Sequence, residues 1–125
     1  MYSTVVDNSA TIQVTTSKHV ATYAIDGSAM NPLEAFYASL AGCAAVYAKK
    51  SCHKLGVPAA GIEISCKPFT GAGGVLNLSK FKTEVHFPVH FTTEQKTAIL
   101  AAIAECAVKK VVQDGQNVEF PVVEV

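Results

Sequence analysis

The chain opens with two short stretches in which apolar and polar positions alternate. Thr11-Ile-Gln-Val-Thr and Val20-Ala-Thr-Tyr-Ala-Ile have the period of a half-buried strand, with a turn through Ser17-Lys18-His19 between them. Asp26-Gly27 ends the second. From Asn31 the period lengthens to that of a helix. Asn31 suits the N-cap, Pro32 the first helical position, and Glu34 the place from which a carboxylate reaches back to the cap. The pattern runs to about Leu55, where Gly56 and then Pro58 stop it. At about 1.5 Å per residue the predicted helix is about 34 Å long. Its middle, Ala38 to Ala48, is nearly all small or apolar, as in a helix covered on most sides.

The second half repeats the theme. Gly61-Ile-Glu-Ile-Ser-Cys66 predicts a strand with Ile62, Ile64 and Cys66 on one face, and Thr70-Gly-Ala-Gly-Gly74 a flexible loop. Phe81 to Phe91 predicts a long strand. Phe81, Val85, Phe87, Val89 and Phe91 point one way, while Lys82, Glu84, His86 and His90 point the other. Pro88 cannot donate to a ladder, so an edge or bulge is expected there. Thr92-Thr-Glu-Gln95 fits a capping box opening a second helix to about Val112, with Ile99, Ile103 and Cys106 on its inner stripe. Asp114-Gly115 turns the chain into a last strand, Val118 to Val125. Strands, long helix, strands, helix and strand in that order predict an α+β domain with antiparallel strands rather than parallel βαβ units.

Composition narrows the class. With 125 residues the chain suits a single domain, 1–125, large enough for a core. It is 50% hydrophobic and only 16% charged, more apolar surface than one domain hides easily, and this predicts an oligomer. Ten lysines balance ten acids and arginine is absent, so there is neither a basic face for nucleic acid nor the usual fork for phosphate. The first residues carry neither a basic nor an apolar leader region, and Glu34, Lys49 and Lys50 interrupt the apolar runs. A cytoplasmic location with no membrane span is expected, with the four cysteines as reduced thiols.

Those cysteines are the candidate chemistry. Cys43 lies about three turns into the first helix, too far from its N-terminus for that dipole to reach. A reactive Cys43 needs a cation from another element, for which Lys18, His19, Lys109 and Lys110 are candidates. Otherwise it is a small core filler, and the same choice holds for Cys106. Cys52 stands nine positions after Cys43 and half a turn out of phase with it, so the two cannot bridge within one helix. Cys52-His53 is read as structural and Cys66 as core. His86 and His90 share a face with Lys82 and Glu84, which reads as a solvated surface rather than a metal site. Glu34 is occupied as a cap. Gly71, Gly73 and Gly74 do not open a helix and make no phosphate loop. No metal or cofactor is expected.

Asn31-Pro-x-Glu followed by Ala41-Gly-Cys43, and Cys106 followed by apolar residues and lysines with Val118-Glu-Phe-Pro-Val beyond, resemble the OsmC/Ohr family of osmotically inducible and organic-hydroperoxide-resistance proteins. The resemblance runs from about Thr11 to Val125. It implies an intertwined homodimer, with antiparallel strands around two long central helices and active sites at the interface. It also implies a peroxidatic Cys43, a resolving Cys106, and an external, commonly lipoyl-type, dithiol reductant. Typical hydroperoxide-resistance members have a glutamate directly after the proline, paired with an arginine that stabilises the thiolate. Here that position is Leu33 and there is no arginine. The expected function is thiol-dependent reduction of organic hydroperoxides, with Lys18 or His19 standing in as the cation. The alternative is a non-catalytic redox sensor or a binder of an apolar small molecule.

Overall fold

The computed structural model describes residues 1–70 and 76–123, apart from the side chains of 68–70 and 76–81. The predicted loop at Gly71–Gly74 and the last two residues lie outside this set. The elements are β1 (Thr11–Thr15), β2 (Val20–Ala24), α1 (Pro32–Leu55), β3 (Glu63–Thr70), β4 (Leu76–His86), α2 (Thr93–Ile103) and α3 (Ala107–Asp114). This is an α+β fold with two antiparallel strand pairs. The chain forms two compact units, Met1–Ser39 and Leu40–Val125.

In the first unit β1 and β2 pair from Thr11 opposite Ala24 to Thr15 opposite Val20. Ile12, Val14, Ala21 and Tyr23 are half-buried and Ala24 is buried, following the predicted alternation. Ser3 adds a bridge to Thr15 through two backbone hydrogen bonds of 3.0 and 2.8 Å. Helix α1 starts as its sequence dictates. Asn31 Oδ1 accepts from the Glu34 N–H at 2.9 Å, and Glu34 Oε1 accepts from the Asn31 N–H at 3.1 Å. Glu34 is thus a capping residue.

In the second unit α1 buries Leu40, Ala44, Ala48, Ser51 and Cys52, a stripe of period near four. It ends in a Schellman closure: Gly56 takes φ +69°, and the Val57 N–H donates to the Cys52 carbonyl at 3.0 Å. Ala48, Cys52, Phe91 and Ile99 form the core, with Val57, Ile62, Ile64, Phe87 and Ile103 packed on it. Helix α2 opens on the expected capping box, with Thr92 Oγ1 accepting from the Gln95 N–H at 3.1 Å and Gln95 Oε1 from the Thr92 N–H at 2.9 Å.

Three expectations need correction. Strand β4 starts at Leu76 and stops at His86, before Pro88. Proline ends the ladder rather than bulging it, and Val89 turns fully outward while Phe91 turns inward. The helix expected to reach Val112 breaks after Ile103 and restarts at Ala107. The segment Val118–Val123 is not a strand in the isolated chain: Phe120 is 87% exposed and Val122 90%.

Pro88 does more than end a strand. Gly61 takes φ +93°, and a Cβ there would stand 2.9 Å from the Pro88 ring carbon Cγ. Gly61→Ala should therefore lose about 1–3 kcal/mol in urea denaturation, from the positive φ and the close approach together. Adding Pro88→Ala should recover only the steric part. An unchanged midpoint for Gly61→Ala would show that this approach is not a constraint.

Candidate functional site

The break between α2 and α3 creates the site. The Glu105 N–H donates to the Ala102 carbonyl and the Cys106 N–H to Ile103, both at 3.0 Å, so α2 tightens into its last turn. Cys106 then takes an extended ψ of 126° and caps α3, whose first helical bond runs from the Lys110 N–H to the Cys106 carbonyl at 3.0 Å. Cys106 is 2% exposed and Cys43 half-buried. The two thiols hydrogen-bond to each other.

Electrostatics divides them. Burial alone would raise the Cys43 thiol above its ordinary value. The Cys106 hydrogen bond, the backbone N–H groups of Val108 and Ala107 and the charge of Lys50 outweigh it, and Cys43 sits below that value. For Cys106, burial and the neighbouring Cys43 both push upward, and they prevail over the Lys109 and Val108 N–H groups. One thiol is thus poised to ionise and its neighbour to stay protonated, with the proton of Cys106 shared toward the Cys43 sulfur.

The sequence named both cysteines but missed these stabilisers. Lys50 was legible, since it lies seven residues after Cys43 on the same face of α1. Its ammonium stands 5.2 Å from the Tyr47 ring centroid. The N–H groups of Ala107 and Val108 were not legible, because nothing between Ile103 and Ala107 is a glycine or proline. Lys109 and Lys110 belong to the first turn of α3, not to the end of a long helix. Lys110 pairs with Glu105 at 2.6 Å, and Lys109 Nζ donates to the Ala104 carbonyl at 3.5 Å. Lys18 and His19 are exposed in the β1–β2 turn of the first unit.

A cavity of about 650 Å³ adjoins Cys106, walled by Leu40, Ala44, Leu100, Ile103 and Val112. Elsewhere, Cys52 is buried in the core and burial raises its thiol. Cys66 is half-buried. Glu84 bridges Lys82 at 2.9 Å and approaches His86 at 3.6 Å, all on an exposed face. Among the described residues no three His, Cys, Asp or Glu side chains are arranged to hold a metal ion. No described helix is long and apolar enough to cross a membrane.

The site is thus a pair of hydrogen-bonded thiols, one half-buried on α1 and one buried at the start of α3. The OsmC-like protein family matches residues 25–120, and the chain belongs to that family. Its fold is similar to the crystal structure of a Psychrobacter arcticus protein named for osmotic-stress induction and a detoxification response. That match has a TM-score of 0.71 and 13% identity, over 87% of this chain and 85% of the other. No curated protein matches the chain.

The thiol asymmetry is measurable. Alkylation of Cys43, followed site by site across pH, should show a midpoint below the ordinary thiol value of about 8.5, because the lowered group supplies thiolate at lower pH. Cys106 should respond only above it. Cys106→Ala removes a hydrogen bond to the Cys43 thiolate and should move the Cys43 midpoint upward. A Cys43 midpoint above 8.5 in the unaltered protein, on the order of a buried inert thiol, would contradict the site's electrostatics.

Proposed function

We propose that this chain is a thiol peroxidase that reduces organic hydroperoxides through Cys43 and Cys106. The observation that carries the reading is the hydrogen bond between a thiol held below its ordinary pKa and a partner held above it. In the first step the Cys43 thiolate attacks the distal oxygen of ROOH. The O–O bond breaks, the alkoxide leaves as ROH after taking a proton, and Cys43 becomes a sulfenic acid. The Cys106 sulfur then attacks the sulfenic sulfur, water leaves, and a Cys43–Cys106 disulfide forms. An external dithiol returns two electrons and two protons and is itself oxidised to a disulfide. Lys50 is the cation whose charge acts on Cys43 within the second unit, and Lys18 and His19 are the candidates from the first.

Membership of the family supports this reading, and the departure at Leu33 qualifies the chain as one that activates its thiolate without an arginine. The second reading is a redox sensor or apolar-ligand binder. The cavity favours it, since the space reaches Cys106 rather than Cys43.

Stoichiometric cumene hydroperoxide should rapidly remove two hydrogens from the intact mass and yield a Cys43–Cys106 linked peptide under non-reducing conditions. Cys43→Ser should abolish turnover, while Cys106→Ser should leave a sulfenic acid at Cys43 that dimedone traps. Turnover that survives Cys43→Ser would sink the peroxidase and leave the binder.

The protein is proposed to work as a homodimer in which the exposed apolar segment Val118, Phe120, Val122 and Val123 is covered by a second copy. Sedimentation should give a dimer, and Phe120→Asp should shift it toward monomer. A monomeric wild-type protein at micromolar concentration would remove the proposal.

A further inference from the structure

A second cavity, of about 690 Å³, lies between the C-terminal half of α1 and α2. Tyr47, Lys50, Ser51 and Lys54 stand at i, i+3, i+4 and i+7, so one face of α1 presents all four, and Ala98 and Ala102 of α2 continue the wall. Lys50 and Lys54 have no carboxylate partner among the described residues, and four positions apart on one face they repel each other. Lys50 rests on the Tyr47 ring, 5.2 Å from its centroid. The acid in the wall, Glu105, is already engaged: Lys110 holds it at 2.6 Å, and the charge of Lys109 acts on it too. Lys49 and His53 complete the lining, so the groove is positive although the chain as a whole is neutral.

Ser51 points to what the groove takes. It is 7% exposed and lines the cavity, yet its hydroxyl makes no hydrogen bond among the described residues. A buried hydroxyl is ordinarily paired, and in a helix the carbonyl four residues back is a common acceptor. Here the donor is left for an acceptor that enters the groove. Ammonium groups are point charges without the flat fork of a guanidinium. Two of them with a hydroxyl suit the several oxygens of a tetrahedral dianion better than a planar carboxylate.

We propose that this groove binds a phosphate monoester, with the phosphoryl oxygens on Lys50, Lys54 and the Ser51 hydroxyl and a small apolar ester group against Ala98, Ala102 and the Tyr47 ring. No reacting thiol takes part, so the proposal is independent of the peroxidase reading.

Calorimetric titration of the reduced, full-length protein compares phenyl phosphate, inorganic phosphate and benzoate. Phenyl phosphate should bind about fivefold or more tightly than either, since only it offers both the dianion and the ring. Lys54→Met should weaken phenyl phosphate about fivefold, Lys54→Arg should keep it, and added salt should weaken it. Ser51→Ala should also weaken it while leaving the urea midpoint unchanged or higher, because the unbound protein loses only an unpaired hydroxyl. A hydroxyl with a purely structural role would lower that midpoint instead. Benzoate as tight as phenyl phosphate, an affinity unmoved by both Lys54→Met and Ser51→Ala, or no saturable binding would overturn the site. Inorganic phosphate as tight as phenyl phosphate would overturn the ester and leave a site for the bare ion.

Discussion

The site depends on one interruption: the chain stops being helical between Ala104 and Cys106 and begins again at Ala107. An uninterrupted helix would spend the N–H groups of Ala107 and Val108 on carbonyls four residues earlier. The restart frees them, as at any helix N-terminus, and they find the sulfur of Cys43. The same interruption places Cys106 at the cap, where its thiol meets Cys43 instead of pointing along a core stripe. A single local change of ψ at Cys106 thus supplies both the partner thiol and the donors.

Helix α1 shows how chemistry is divided between two cysteines of one element. Cys43 and Cys52 are half a turn out of phase, so they meet different surroundings. Cys52 is enclosed by Ala48, Phe91 and Ile99, where nothing stabilises a charge and burial raises its thiol. Cys43 meets a helix start and a second thiol. Small residues along the buried stripe, Ala44 and Ala48, leave room for neighbouring elements to come close. The identity of the residue is the same at both positions, and the environment decides which is inert.

Much of this was readable in the residues. The capping boxes at Asn31–Glu34 and Thr92–Gln95 fixed two helix starts, because side-chain and backbone donors there satisfy each other locally. The two strands β1 and β2 followed from period-two alternation. What was hidden is non-local. Ile103-Ala-Glu-Cys106-Ala contains good helix formers and no breaker, so the interruption there is set by tertiary packing rather than propensity. Val89 followed the strand pattern on paper but lies beyond Pro88, where the ladder has ended. Val118–Val123 has the alternation of a strand without a partner strand among the described residues, and alternation alone does not create pairing.

The absence of arginine is instructive in magnitude. Lys50 lies two turns from Cys43, about 10 Å along the helix axis, near the Debye length at physiological salt. At that separation a solvent-exposed charge contributes well under about 1 kcal/mol. Donors at a helix start act at contact distance, do not titrate, and in partly buried settings reach about 2 kcal/mol. They also need no side-chain ordering, unlike a lysine reaching across a surface. Among the influences that lower Cys43 the Cys106 hydrogen bond comes first, the two backbone N–H groups next and Lys50 last. That stabilisation belongs to the charged sulfur alone. Once Cys43 is neutral, whether protonated or bonded to another atom, the same N–H groups lose their charged acceptor. A chain built this way favours the thiolate over its neutral forms without any arginine, and it does so through the position at which one helix begins.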